Sequence, residues 1–183
     1  MTAKTKKTSR VWSDVKAKLA DFDRNALLVL VHDLYDASKD NQTFLHTRFS
    51  LDGDPLKGYK AIITRWLWPD KFKKMDASVS TAKKAISDYK KAIGKPECVA
   101  ELMVFYCEQG AGFSKDVALD DEAYYDALVR MFEQALKVIA TLPSAQRDAF
   151  MKRMDGVRNL CRDFGYGVYD DMNDLLYDHG VER

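Results

Sequence analysis

Apolar positions along this chain recur three and four residues apart. Leu27, Leu28, Val31, Leu34 and Tyr35 follow i, i+1, i+4, i+7, i+8, which is the stripe of one buried helix face. The same spacing returns at Tyr59, Ile62, Ile63, Trp66 and Leu67, and at Val99, Leu102, Met103, Tyr106 and Cys107. The longest stripe runs from Tyr124 and Tyr125 through Leu128, Val129, Phe132, Ala135 and Leu136 to Ile139. Shorter ones occur at Trp12, Val15 and Leu19, at Ala82, Ala85, Ile86, Tyr89 and Ile93, and at Met172, Leu175 and Leu176. Phe150, Met154, Val157, Cys161 and Phe164 supply one more. No segment alternates apolar and polar residues with period two between turn signals, so strands are not expected.

Start and stop residues divide these stripes. Asp23 or Asn25 can cap the helix that carries Leu27, and a helix continues or restarts at Asp40 or Asn41. LDGDP at 51–55 is a break, with Asp54 placed as N-cap and Pro55 as first helical residue. Pro69 stops the next helix, Ser78 or Ser80 opens another, and Gly94 followed by Pro96 ends it. Gly110 reads as a helix end, which makes GAGFSKDVALD a loop. Asp120 or Asp121 then caps the helix of the longest stripe. Pro143 and Ser144 start a helix expected to end at Gly165, and a last one spans about Asp170 to Asp178. The expectation is an all-α chain of eight or nine helices packed as antiparallel hairpins, in a bundle or a short HEAT-like solenoid. GYKAII at 58–63 is echoed thirty residues later by DYKKAI at 88–93. At 183 residues the chain suits one domain, placed at 11–183 behind a basic tail at 1–10 that holds Lys4, Lys6, Lys7 and Arg10.

The net charge of +1 hides an asymmetry. Residues 1–95 carry 20 basic and 11 acidic side chains, and the remainder carries 9 and 17. The stretch from Lys57 to Lys95 has 11 basic residues against 3 acidic ones, interleaved with aromatics. Arg65, Trp68, Lys71, Lys73, Lys74, Lys83 and Lys84 therefore form a candidate basic and aromatic patch for phosphate-bearing or acidic partners. Trp66 and Tyr89 fall on apolar stripes and belong to the core instead.

Catalytic and metal chemistry find no support. His32 and Asp33 invite comparison with phosphohydrolases built on an adjacent His-Asp pair. Such sites need a further histidine upstream, and the chain has only His32, His46 and His179. Trp68-Pro69-Asp70 matches the acid loop of tyrosine phosphatases by letters. No cysteine is followed six residues later by arginine, so that reading fails. Phosphate-binding glycine loops and the GxSxG elbow are absent. Three cysteines, Cys98, Cys107 and Cys161, are too few and too scattered for a disulfide framework or a zinc knuckle and read as core thiols. No catalytic residue, metal or cofactor is assigned.

The segment LLVLVHDLYDASKDNQTFLHTRF at 27–49 resembles the opening helices of small bacterial all-helical proteins classed as domains of unknown function. The resemblance rests on the Leu-Leu-x-Leu-Val-x-x-Leu-Tyr stripe, then Ser38, Asn41, Phe44-Leu45 and Arg48-Phe49. It extends loosely through 80–93 and 99–139. It implies a helical, HEAT-like fold and no activity. The functional expectation is a cytoplasmic, non-enzymatic interaction or adaptor domain that docks a protein partner, without membrane insertion and with self-association open. The alternative is a nucleic-acid-associated factor using the basic half.

Overall fold

The capping residues and stripes resolve into nine α-helices, with no strand among the described residues. The structure is a computed structural model that describes residues 11–49, 51, 53–69 and 77–180. The helices are α1 (Trp12–Leu19), α2 (Arg24–Ala37), α3 (Lys39–Arg48), α4 (Lys57–Leu67) and α5 (Val79–Ala92). They continue as α6 (Pro96–Val117), α7 (Glu122–Ile139), α8 (Ser144–Leu160) and α9 (Val168–Asp178). The all-α expectation holds. The basic tail at 1–10 lies outside the described residues. The chain divides into two units at Gln42 and Thr43, within α3.

In the first unit the capping chemistry works as its sequence requires. The Asp23 carboxylate accepts the Ala26 amide at 2.7 Å and opens α2. The Asp14 carboxylate accepts the Val11 amide at the start of α1. Ser38 Oγ accepts the Asn41 amide and starts α3. The buried face expected on α2 is overturned: no residue of α2 is buried. Leu27, Leu28, Val31 and Leu34 are between 39% and 59% exposed. Within its own unit it has little cover, since α1 has eight residues and buries none of them either.

The second unit is built around α6, which packs against α4, α5, α7 and α8, while α7 also packs against α9. The sequence of α6 explains its place. Its buried residues include Val99, Leu102, Met103, Val104, Tyr106 and Cys107, which cover more than one face. α7 buries Leu128, Phe132, Leu136 and Ile139 at 1% exposure or less, each worth roughly 1.5–3 kcal/mol when fully covered. Asp121 caps α7 by accepting the Tyr124 amide at 3.0 Å, and Ser78 caps α5 through Thr81.

Three boundaries differ from the pattern. The loop expected from Gly110 is helix, because α6 runs on to Val117. Gly110 and Gly112 are sites of close approach rather than breaks. A Cβ on Gly110 would meet Leu128 Cδ1 at 3.1 Å, and one on Gly112 would meet the Trp68 ring at 2.6 Å. α4 begins at Lys57, after a turn in which the Asp54 carboxylate accepts the Leu56 amide at 2.9 Å. α8 ends at Leu160, so Cys161 and Phe164 reach the core from the following turn. Arg48, at the end of α3, donates to the Ala92 carbonyl at 3.1 Å and so satisfies the last turn of α5.

Candidate functional site

The patch expected on α4 and α5 is only partly described. Lys71, Lys73 and Lys74 lie outside the described residues. Arg65 and Lys83 are exposed, and the Arg65 guanidinium sits 5.5 Å from the ring centre of its neighbour Trp66. Lys84 pairs with Asp88 at 2.7 Å along α5. Trp68 follows α4 with its ring against Gly112 of α6 and 38% of its surface open. Trp66 packs partly buried against the core, and Tyr89 is fully buried, so neither is presented for stacking on a base.

A pocket of about 360 Å³ opens where the α6–α7 and α8–α9 turns meet. Its lining includes Lys115 and Ala118 at the end of α6, Asp120 in the turn, Tyr125 on α7, and Asp163 and Phe164 after α8. The Tyr125 and Phe164 rings stack with centroids 5.2 Å apart and planes at 26°. Tyr166 approaches Tyr125 with ring centroids 5.9 Å apart. The Tyr125 hydroxyl donates to the Leu119 carbonyl and pins the turn. Burial raises the Tyr125 pKa, and the nearby Asp120 adds to it. Hydrogen bonding to Asp120 raises that of Tyr166. Ala118 and Tyr166 hold left-handed backbone, with φ of 48° and 58°. The sequence hides this pocket. Its residues lie in two turns forty residues apart, and one of those turns reads as a plain loop.

A half-buried ion network crosses the surface of α6. Lys60 of α4 contacts Glu101 at 2.6 Å. Arg153 of α8 hydrogen-bonds to Glu101 and makes two parallel hydrogen bonds of 2.8 Å to Glu108. Phe105 lies 5.2 Å from Lys60 Nζ, and Phe150 lies 5.6 Å from the Arg153 guanidinium. Every charge here has an opposite partner, which suits a clamp holding α4, α6 and α8 together. Among the described residues no three His, Cys, Asp or Glu side chains converge as metal ligands. His32 meets only Asp36, one turn along α2, at 3.4 Å. No helix among the described residues is long and apolar enough to cross a membrane.

In the first unit the uncovered residues form a coherent face. On α2, Leu27, Leu28, Val31 and Leu34 share one wide apolar arc, and Asn25, His32, Asp33 and Asp36 occupy the opposite side together with the exposed Val29. Trp12, Val15 and Phe22 add exposed apolar surface before it, with Trp12 at 69%.

Comparison with curated proteins and with solved structures gives no match. A family model described as a family of unknown function, DUF6155, matches residues 10–174, and the chain belongs to that family.

Proposed function

We propose that this chain is a protein-interaction module whose contact surface is the apolar face of the first unit. One observation supports it most: α2 carries an apolar arc at Leu27, Leu28, Val31 and Leu34, yet none of its residues is buried. Proteins rarely leave contiguous apolar patches of several hundred Å² in water, and those they do leave mark contact sites. Leu27, Leu28, Val31 and Leu34 expose apolar surface together on α2, and Trp12, Val15 and Phe22 expose more on and after α1.

The test is recovery of tagged chain from lysate of its own organism, with and without nuclease. Wild type is compared with the double variant Leu28→Glu, Leu34→Glu, and light scattering reports self-association. A protein retained after nuclease, or a second copy, and lost in the double variant supports the reading. Material lost on nuclease treatment and unaffected by the variant overturns it in favour of nucleic-acid contact through the basic half, with Arg65, Lys71, Lys73, Lys74 and Lys83. Salt would then weaken binding steeply.

A further inference from the structure

We propose that the pocket between the α6–α7 and α8–α9 turns is a binding site for a small organic cation, an alkylammonium or guanidinium group. This goes beyond the interaction face on α2 and does not depend on it.

Three features converge there. The volume of about 360 Å³ lies in the range of small-ligand pockets. Two carboxylates, Asp120 and Asp163, line it. Two of the lining residues are aromatic, with Phe164 stacked on Tyr125, and Tyr166 lies outside the lining 5.9 Å from Tyr125. An aromatic wall beside carboxylates attracts a cation through the ring quadrupole as well as through charge.

The carboxylates play different parts. Asp120 lies near the Tyr166 hydroxyl, whose pKa it raises. Asp163 has no ion pair among the described residues and is the free counter-charge. Lys115 also lines the pocket and carries the sign of the proposed ligand. It opposes binding and sets a modest affinity. That gives the proposal a sign that an anion site or a generic apolar site would not share.

The cation can come from a free amine or from a lysine side chain on another chain, and the arms of the experiment separate these. The ¹⁵N-labelled full chain is titrated with n-butylammonium chloride at constant ionic strength, following the amides of Ala118, Leu119, Phe164 and Gly165. Saturable millimolar shifts at these amides are expected. n-Butanol and butyrate at matched concentration should not reproduce them. Asp163→Asn should weaken binding by about threefold to fivefold, the scale of one exposed ion pair, and Asp120→Asn should weaken it too. Lys115→Met should tighten it. Asp163 and Lys115 are exposed, so an unchanged spectrum away from the pocket shows that each variant folds. A blocked tripeptide, acetyl-Gly-Lys-Gly-amide, that shifts the same amides assigns the cation to a lysine side chain. A response to butylammonium alone assigns it to a free amine. No saturable shift, an equal response to butanol, or weaker binding in Lys115→Met overturns the proposal.

Discussion

Tyr59 of α4 and Tyr89 of α5 meet edge to face, with ring centroids 5.5 Å apart and planes at 85°. They occupy the same place in the two echoed segments GYKAII and DYKKAI. The thirty-residue echo thus places two aromatic rings where antiparallel helices cross. Both rings are sealed from solvent, at 2% and 0% exposure. Edge-to-face pairs contribute about 0.5–1.5 kcal/mol beyond the area they bury. A double-mutant cycle of Tyr59→Leu and Tyr89→Leu, measured by urea unfolding, should therefore give a coupling of about 1 kcal/mol. Strict additivity would show that the rings act only as bulk.

Acid should loosen the clamp on α6. Burial pushes the Glu101 carboxyl up, but hydrogen bonds from Arg153 and Lys60 outweigh it and leave its pKa below the ordinary 4.5. A carboxylate with a depressed folded pKa contributes stability that is present above its unfolded pKa and lost as pH falls through the folded value. The loss therefore lies below about pH 4.5. Glu101→Gln should cost about 1–2 kcal/mol at neutral pH. It should also flatten the fall of Tm with acid, measured by calorimetry from pH 7 to 3. An acid limb unchanged in the variant would assign acid sensitivity to other carboxylates.

Periodicity made the second unit legible because its stripes are matched by neighbours. The faces read at Tyr59–Leu67, Ala82–Tyr89, Val99–Cys107 and Tyr124–Ile139 are the faces that pack. The caps Asp23, Ser78 and Asp121 each accept the amide three residues on. The same logic failed on α2, because an amphipathic stripe states that cover is needed and does not say that this chain supplies it. It failed at Gly110 as well. A glycine that ends one helix and a glycine that admits a neighbouring Leu128 look alike in sequence, and only the partner helix distinguishes them. The pocket was illegible for a further reason. Asp120 and Asp163 acquire their relation from two turns brought together by the packing of α6, α7 and α8.

Two left-handed residues at helix ends should respond oppositely to exchange of glycine and alanine. Gly94 follows α5 with φ of 69°, and its amide reaches back to the Tyr89 carbonyl at 3.2 Å. A Cβ there would stand 2.7 Å from the Lys90 carbonyl oxygen. Gly94→Ala should cost about 1–2 kcal/mol, the penalty of left-handed backbone for an L side chain. Ala118 already bears that penalty at φ of 48°. Relief of about 1–2 kcal/mol against about 0.5–1 kcal/mol of added chain entropy makes Ala118→Gly stabilising by roughly 0.5 kcal/mol. Urea midpoints of the two variants should move in opposite directions. Movement in the same direction would show that the cap geometry at one of them is wrong.

The thiols should divide by burial. Cys107 and Cys161 are wholly covered, and desolvation pushes the first well above its ordinary pKa and the second up to about 12. The thiolate is the reacting form, so at about pH 8 both are protected twice, by access and by protonation. Cys98, in the first turn of α6, is only half covered. An aromatic disulfide reagent should therefore titrate one thiol per native chain and three in denaturant. Cys98→Ser should abolish the native reaction and leave the slow one, whose rate then reports opening of the core around α6. Two fast thiols in the native wild type would mean that α8 and the turn after it open readily in solution. The clamp from Arg153 to Glu101 and Glu108 would then not be holding α8 against α6.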